Sequence, residues 1–357
     1  MAEVAEQAIL DFYTYPPVGA DDWRYVFQTA QVRVLEMQML TRATYLDMAN
    51  AQNFEQAADL LSAGEYALPR GVAGFAEMEN ILNQRRAELR KLFAVLMIDK
   101  PIVELFRTRA DFANLRLAVR RTLTEKPLGT DYTNDGNVPP EQFEQVFEEE
   151  NYELFPDYMA EAVEQAVLAY YRNKDVRQID HAIDSAQAEY NIKKARRLSS
   201  VFLLGLFRTQ LDLTNIRTML RLKFTDSESR TKTAGAEALL VRDNVFLKGG
   251  FLELQRLERG LEIGYESLAS LFFVTPYHRL VEAGAGYLIS DKSFLRAEQQ
   301  CEEHLTGFLK STIQITTGPQ PIIAYLLMKE NEIRTVRLIL TAKKNNLDTK
   351  LILDRIS

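Results

Sequence analysis

From Leu105 onward the apolar residues fall at Leu105, Phe112, Leu115 and Val119, and 101 residues later the same offsets carry Leu206, Leu213, Ile216 and Leu220. Steps of seven, three and four keep these side chains on one stripe of an α-helix, whereas a strand would alternate at every second residue. A weaker third stripe, Leu326, Ile333, Val336 and Leu340, follows 120 residues after the second. The pattern predicts one buried-face helix used three times. The polar positions repeat with it. Windows 105–121 and 206–222 match at 8 positions without a gap, where unrelated sequences of ordinary composition would match at about one. An internal repeat of this period constrains the architecture before any residue is considered for chemistry.

Around the repeats the periodicity predicts further helices. Asp21-Asp22 caps a helical pattern beginning at Trp23, with Val26, Ala30, Val34, Met37 and Thr41 on one face. Others are predicted from Asn53 to Ser62, ending near Gly64 before a break at Pro69, and from Phe75 to Ile98 with Ile81, Leu82, Leu89, Leu92, Phe93 and Leu96 inward. Pro101 opens the first motif helix. The loop Thr130–Pro140 separates it from an acidic-faced helix through Glu141, Glu144 and Glu148, then helices across 156–172 and 179–204 lead to the second motif helix. A second boundary begins at Asp226 and ends at Lys248-Gly249-Gly250. Beyond it come helices near 251–259, 264–272, 275–283 and 293–315, and the third motif helix starts near Pro321. Strand signals are sparse. The expectation is three helical repeat domains, 1–130, 131–240 and 241–357, each with a long helix directly before its motif helix as an antiparallel pair.

The repeated polar residues are the candidates for function. They are Asp111, Asn114, Arg116 and Arg120 in the first copy, Asp212, Asn215, Arg217 and Arg221 in the second, and Glu332, Arg337 and Lys343 in the third. At about 100° per residue Arg107, Asp111 and Asn114 share one flank, while Arg116 and Arg120 project from another. The plain reading is a local Arg107–Asp111 ion pair and a bond from Asn114 to a neighbouring helix end. The sharper reading is that the Arg pairs serve interface or inter-domain contacts.

Composition narrows the remaining chemistry. The 357 residues are 46% hydrophobic and 26% charged with a formal net charge of −7, a balance that suits a folded globular chain and argues against nucleic acid as a partner. The one cysteine, Cys301, excludes an internal disulfide and sits in an acidic helical segment, which suits a buried or idle thiol. Met1–Glu6 carries neither a basic n-region nor an apolar h-region, which argues against secretion, and no apolar run is long enough to span a bilayer. The three histidines, His181, His278 and His304, have no metal-ligand spacing. Gly284-Ala285-Gly286 lacks a dinucleotide site's strand and third glycine and reads as a helix end and bend. Lys248-Gly249-Gly250 reads as a loop that lets a helix start. Asp180 and Asp184, one helical turn apart, read as solvated carboxylates. No catalytic residue, metal site or cofactor is predicted.

Three segments carry a family resemblance. They are the Asp-x-x-Asn-[Leu/Ile]-Arg helices at Asp111–Arg116 and Asp212–Arg217, the run from Ala324 to Leu340 followed by Lys343, and the entry from Tyr25-Val26-Phe27 through Arg33-Val34-Leu35-Glu36 to Leu40. With them the chain resembles the C subunit of prokaryotic V/A-type rotary ATPases, whose eukaryotic relative is the d subunit of the vacuolar proton pump. The resemblance implies an all-α funnel of three similar helical-bundle domains about a pseudo-threefold axis with a central cavity. It further implies a non-catalytic, cofactor-free rotor part, peripheral on the cytoplasmic membrane face. Its implied partners are the central-stalk subunits and the membrane proteolipid ring, in ATP-driven proton or sodium transport or in ATP synthesis. Two other readings share the repeats or the length: a soluble helical-repeat adaptor unconnected with a pump, and an enzyme with a site between domains.

Overall fold

The computed structural model describes residues 14–62, 64–67, 74–124, 131–232 and 245–356, without the side chains of 173 and 226–232. Among the described residues every regular element is helical: α1 (Val26–Glu36), α2 (Arg42–Asn50), α3 (Phe54–Asp59), α4 (Phe75–Leu96), α5 (Lys100–Thr124), α6 (Pro140–Glu148), α7 (Asp157–Asn173), α8 (Val176–Arg197), α9 (Val201–Lys232), α10 (Leu254–Glu262), α11 (Tyr265–Leu271), α12 (His278–Asp291), α13 (Leu295–Lys310), α14 (Pro319–Lys344) and α15 (Thr349–Ile356). The motif helices are α5, α9 and α14. The fold is all-α, as the apolar spacing predicts.

Local chemistry sets the boundaries. Asp22 accepts the Arg24 N–H and caps the 3-10 turn Trp23–Tyr25 that leads into α1, while Thr41 and Asn53 cap α2 and α3 through the N–H groups of Thr44 and Gln56. The helix predicted over 179–204 is broken. Ser199 is left-handed (φ 52°), and Ser200 donates to the Ala195 carbonyl while Ser199 donates to Arg196, a terminating motif that ends α8 and lets α9 restart at Val201. The second motif helix continues through Lys232, past the boundary predicted to begin at Asp226. Gly284-Ala285-Gly286 lies inside α12, which instead ends at left-handed Lys292 (φ 51°). Helices α2 and α15, of nine and eight residues, have no counterpart in the sequence reading, being short. The 240/241 boundary and Pro69 lie outside the described residues.

The described residues divide into two compact units, one within 99–261 and the other within 14–98 and 262–356. In the first, α5 packs with α6, α7 and α8, and α8 also packs with α9. Its core joins Phe112, Leu115 and Val119 of α5 to Phe143, Val146, Met159, Val163, Ile179 and Ile183. The repeated phenylalanines Phe106 and Phe207 meet here with ring centroids 6.4 Å apart. In the second unit α14 is central and packs on α1, α2, α3 and α4, while α12, α13 and α15 form a neighbouring layer. Helix α14 therefore buries residues on nearly every turn, from Gln320 to Lys343.

Two expectations are corrected. The long helix α4 and the motif helix α5 that follows it do not form a pair inside one unit: α4 belongs with α14, and α5 with α8. On α1 the face bearing Val26, Val34 and Met37 points outward, and Tyr25, Thr29 and Val32 are buried instead. Tyr25 donates its hydroxyl to Met97 Sδ, and Thr29 exchanges hydrogen bonds with the backbone of Gly318. Long-range polar anchors thus turn the helix against its own stripe.

Candidate functional site

The repeated carboxylates and amides of the motif helices form backbone clamps. Asp111 is fully buried, and its Oδ1 accepts the N–H groups of Asn137 (2.8 Å) and Val138 (3.0 Å), while Oδ2 accepts from Asn137 Nδ2 and the Tyr158 hydroxyl. One turn along, Asn114 accepts the Thr133 N–H and donates to the Thr133 carbonyl, both at 2.9 Å. The second copy repeats this geometry. Asp212, also fully buried, accepts the N–H groups of Phe251 and Leu252 at 3.0 Å each, and Asn215 makes the same two-way pair with Leu247 at 2.8 Å.

The loop register is identical in the two clamps: the amide-paired residue, a glycine three positions on, then the pair of N–H donors. A Cβ placed on Gly136 would lie 2.1 Å from Asp111 Oδ1, and one on Gly250 would lie 2.1 Å from Asp212 Oδ1. Only glycine lets the loop approach the carboxylate. Each aspartate therefore accepts from N–H groups that the loop would otherwise leave unsatisfied beside the core. Lys248-Gly249-Gly250 is thus half of the second clamp, and Asp111 engages the loop of the first instead of forming the local pair with Arg107.

The third copy keeps the function with altered parts. Glu332, 2% exposed, accepts the Leu40 N–H through Oε2 (2.7 Å) and the Tyr66 hydroxyl through Oε1 (2.6 Å). Lys329, itself 4% exposed, bridges Glu332 (2.6 Å) and Glu65 (2.9 Å). Burial, followed by the Glu332 charge, holds the phenols of Tyr66 and Tyr45 well above the ordinary tyrosine range, so both stay neutral and Tyr66 remains the donor to Glu332. The loop held here lies in the N-terminal segment, so the last motif helix clamps the start of the chain.

The basic candidates are also engaged. Arg116 pairs with Asp184 and Arg120 with Asp180, tying α5 to α8, so these two aspartates are not simply solvated. Burial raises the Asp184 pKa, and Arg116 opposes that rise. Arg337 pairs with Glu79 (2.9 Å) and reaches Asn83, while neighbouring Glu330 pairs with Arg90 (3.2 Å), joining α14 to α4. Lys343 donates to Thr349 Oγ1, and its counterpart Lys223 donates to the carbonyls of Gly260 and Leu261. Arg217 and Arg221 lie at the corresponding positions of α9, half-buried and exposed respectively.

The sequence reading thus finds the repeated residues and misses their partners. Gly136, Gly250, Tyr66, Leu40 and Lys329 complete the clamps. Two of them carried a visible signal, a glycine within 40 positions after each repeated aspartate and two residues before an apolar one, Val138 or Leu252. Elsewhere Cys301 is buried. His304 lies between the rings of Tyr15 and Tyr277, and burial pushes its pKa down to about 4. Among the described residues no group of three or more His, Cys, Asp or Glu is placed to hold a metal ion, and no helix is long and apolar enough to cross a membrane.

This set of helices matches a known family from α1 to α15. The model of the ATP synthase (C/AC39) subunit family covers residues 28–355. The chain belongs to that family. Among its relatives is the C subunit of the V-type sodium ATPase of Enterococcus hirae, 21% identical over 333 residues, which span 91% of this chain and 95% of the relative. Another is the C subunit of the A-type ATP synthase of Methanococcoides burtonii, 21% identical over 347 residues, with 93% and 94% covered. The clamps occupy the matched region.

Proposed function

We propose that this C/AC39-family protein is a non-catalytic central-rotor subunit of a V/A-type rotary ATPase. In this reading it is a socket that couples the central stalk to the membrane proteolipid ring, during ATP-driven proton or sodium transport or ATP synthesis. It sits peripherally on the cytoplasmic face. Three similar helical units surround a pseudo-threefold axis and form a funnel with a central cavity. The observation that carries the reading is the clamp built three times, at Asp111, Asp212 and Glu332. Each recurring acid is committed to holding backbone, so the repeated chemistry stiffens a scaffold. A part that transmits torque needs that stiffness, and cores packed at native density supply it.

The clamps also suggest how the units are delimited. Each motif helix grips a loop in the segment after it, and the third grips the N-terminal segment, so the repeat closes on itself. Affinity capture of the tagged chain from native membranes tests the assignment. Nucleotide-binding ATPase subunits should be recovered in stoichiometric amounts, and recovery of soluble proteins alone would favour the adaptor reading.

A further inference from the structure

The outer face of α1 and the turn before it is made of carbon. Trp23 is 70% exposed, Val26 50%, Phe27 73%, Val34 58% and Met37 85%, and Ala30 between them is exposed as well. The inward face carries the Thr29 hydroxyl and the Tyr25 phenol beside Val32, so the larger part of the apolar stripe is left on the outside. A helix apolar on its solvent side has an interface not yet formed.

The spacing specifies what fits. Trp23, Phe27, Ala30, Val34 and Met37 advance by four, three, four and three residues, the seam of a helix that packs knobs into holes against another helix. The stripe extends about 21 Å, some four turns. At these exposures it presents on the order of 700 Å² of apolar surface, more than the largest patch on most monomers and close to one side of a standard interface. Ala30 at the centre is the smallest side chain of the seam, between the larger Phe27 and Val34, and so is the position over which a large aliphatic side chain can be set. A bilayer surface fits less well, because the flanking Arg24 and Arg33 are paired with Asp22 (2.7 Å) and Glu36 (2.8 Å), and the chain carries a net charge of −7.

We propose that this face docks an amphipathic helix of another protein, one with its own four-three apolar seam and a bulky aliphatic residue set over Ala30. The identity of that protein as a fellow ATPase subunit rests on the function proposed above. The test replaces Phe27 with a photoreactive phenylalanine in the full chain, with the exposed Glu161 of α7 as control site, and irradiates intact cells. Mass spectrometry of the Phe27 adduct should return one peptide of another protein with the four-three pattern. Ala30→Glu should lower its yield at least tenfold while the melting temperature of the purified chain stays unchanged. Adducts to lipid, to a second copy, to residues 1–13 of the same chain, or none above the Glu161 level would overturn the docking seam. If ATPase subunits are captured from membranes yet Phe27 gives no adduct, the seam is wrong and the assignment to the ATPase stands. If Phe27 marks a seamed helix of a protein outside any ATPase, the seam stands and the assignment to the ATPase falls.

Discussion

At the scale of single residues, the glycines show how tightly the clamps are built. In Gly250→Ala the added methyl would displace the Asp212 carboxylate from the buried N–H of Leu252 and the half-buried N–H of Phe251, and a buried N–H costs about 1–3 kcal/mol when left unpaired. A loss of about 2–4 kcal/mol is expected in urea unfolding. Gly286→Ala is the opposite case, since the site is an exposed helix interior with nothing within 4 Å of the new Cβ, and a gain of about 0.5–1 kcal/mol is expected. His304 supplies a pH dependence. Its folded pKa near 4 lies below the unfolded value of 6.5, so the unfolded chain binds the extra proton first and stability falls as pH falls from about 6.5 to 4. Between pH 7 and 5 this group accounts for about 2 kcal/mol. Urea midpoints of His304→Phe, compared with the parent at both pH values, should lose that part of the slope.

Among the helices, the ties between elements are modest individually and ordered by the repeat. The Arg116–Asp184 and Arg120–Asp180 pairs join α5 to α8 but remain partly exposed, at 33% and 43% and at 37% and 26% of their side-chain areas. A double-mutant cycle on Arg120 and Asp180 should give a coupling of about 0.5–1 kcal/mol that shrinks when salt is raised to about 1 M. The clamp is different, because its carboxylate is fully buried and one of its two backbone donors, the N–H of Val138 or Leu252, is buried with it. That contrast explains what could be read from the chain. Asp111 and Asn114 repeat visibly as Asp212 and Asn215, yet a local ion pair with Arg107 was the simplest role for Asp111. Its true partners stand 26 and 27 residues away, across a loop with no periodicity to follow. The aspartates Asp180 and Asp184 gave the same difficulty, since their cations lie on a different helix, 60 and 68 residues earlier.

For the whole molecule, the pairing of the two chain ends has a direct consequence. Residues 319–344 form the centre of the unit that contains α1–α4, whereas α5–α9 depend on a contiguous stretch. Deleting residues 319–357 should abolish hydrogen-exchange protection over 26–96 and leave it over 100–124 and 157–197. Loss of protection in both regions would refute this division of stability. The sequence by itself determined that the chain is helical, that one motif helix is used three times, and which polar residues recur on it, because helical period and repeat identity are properties of neighbours along the chain. Only the tertiary structure decided which loop each motif helix grips, that the last motif helix, α14, holds the N-terminal segment, and which way α1 turns. Those outcomes depend on buried polar groups finding partners up to some 300 residues distant, and for α1 that requirement prevailed over the apolar stripe that the helix carries.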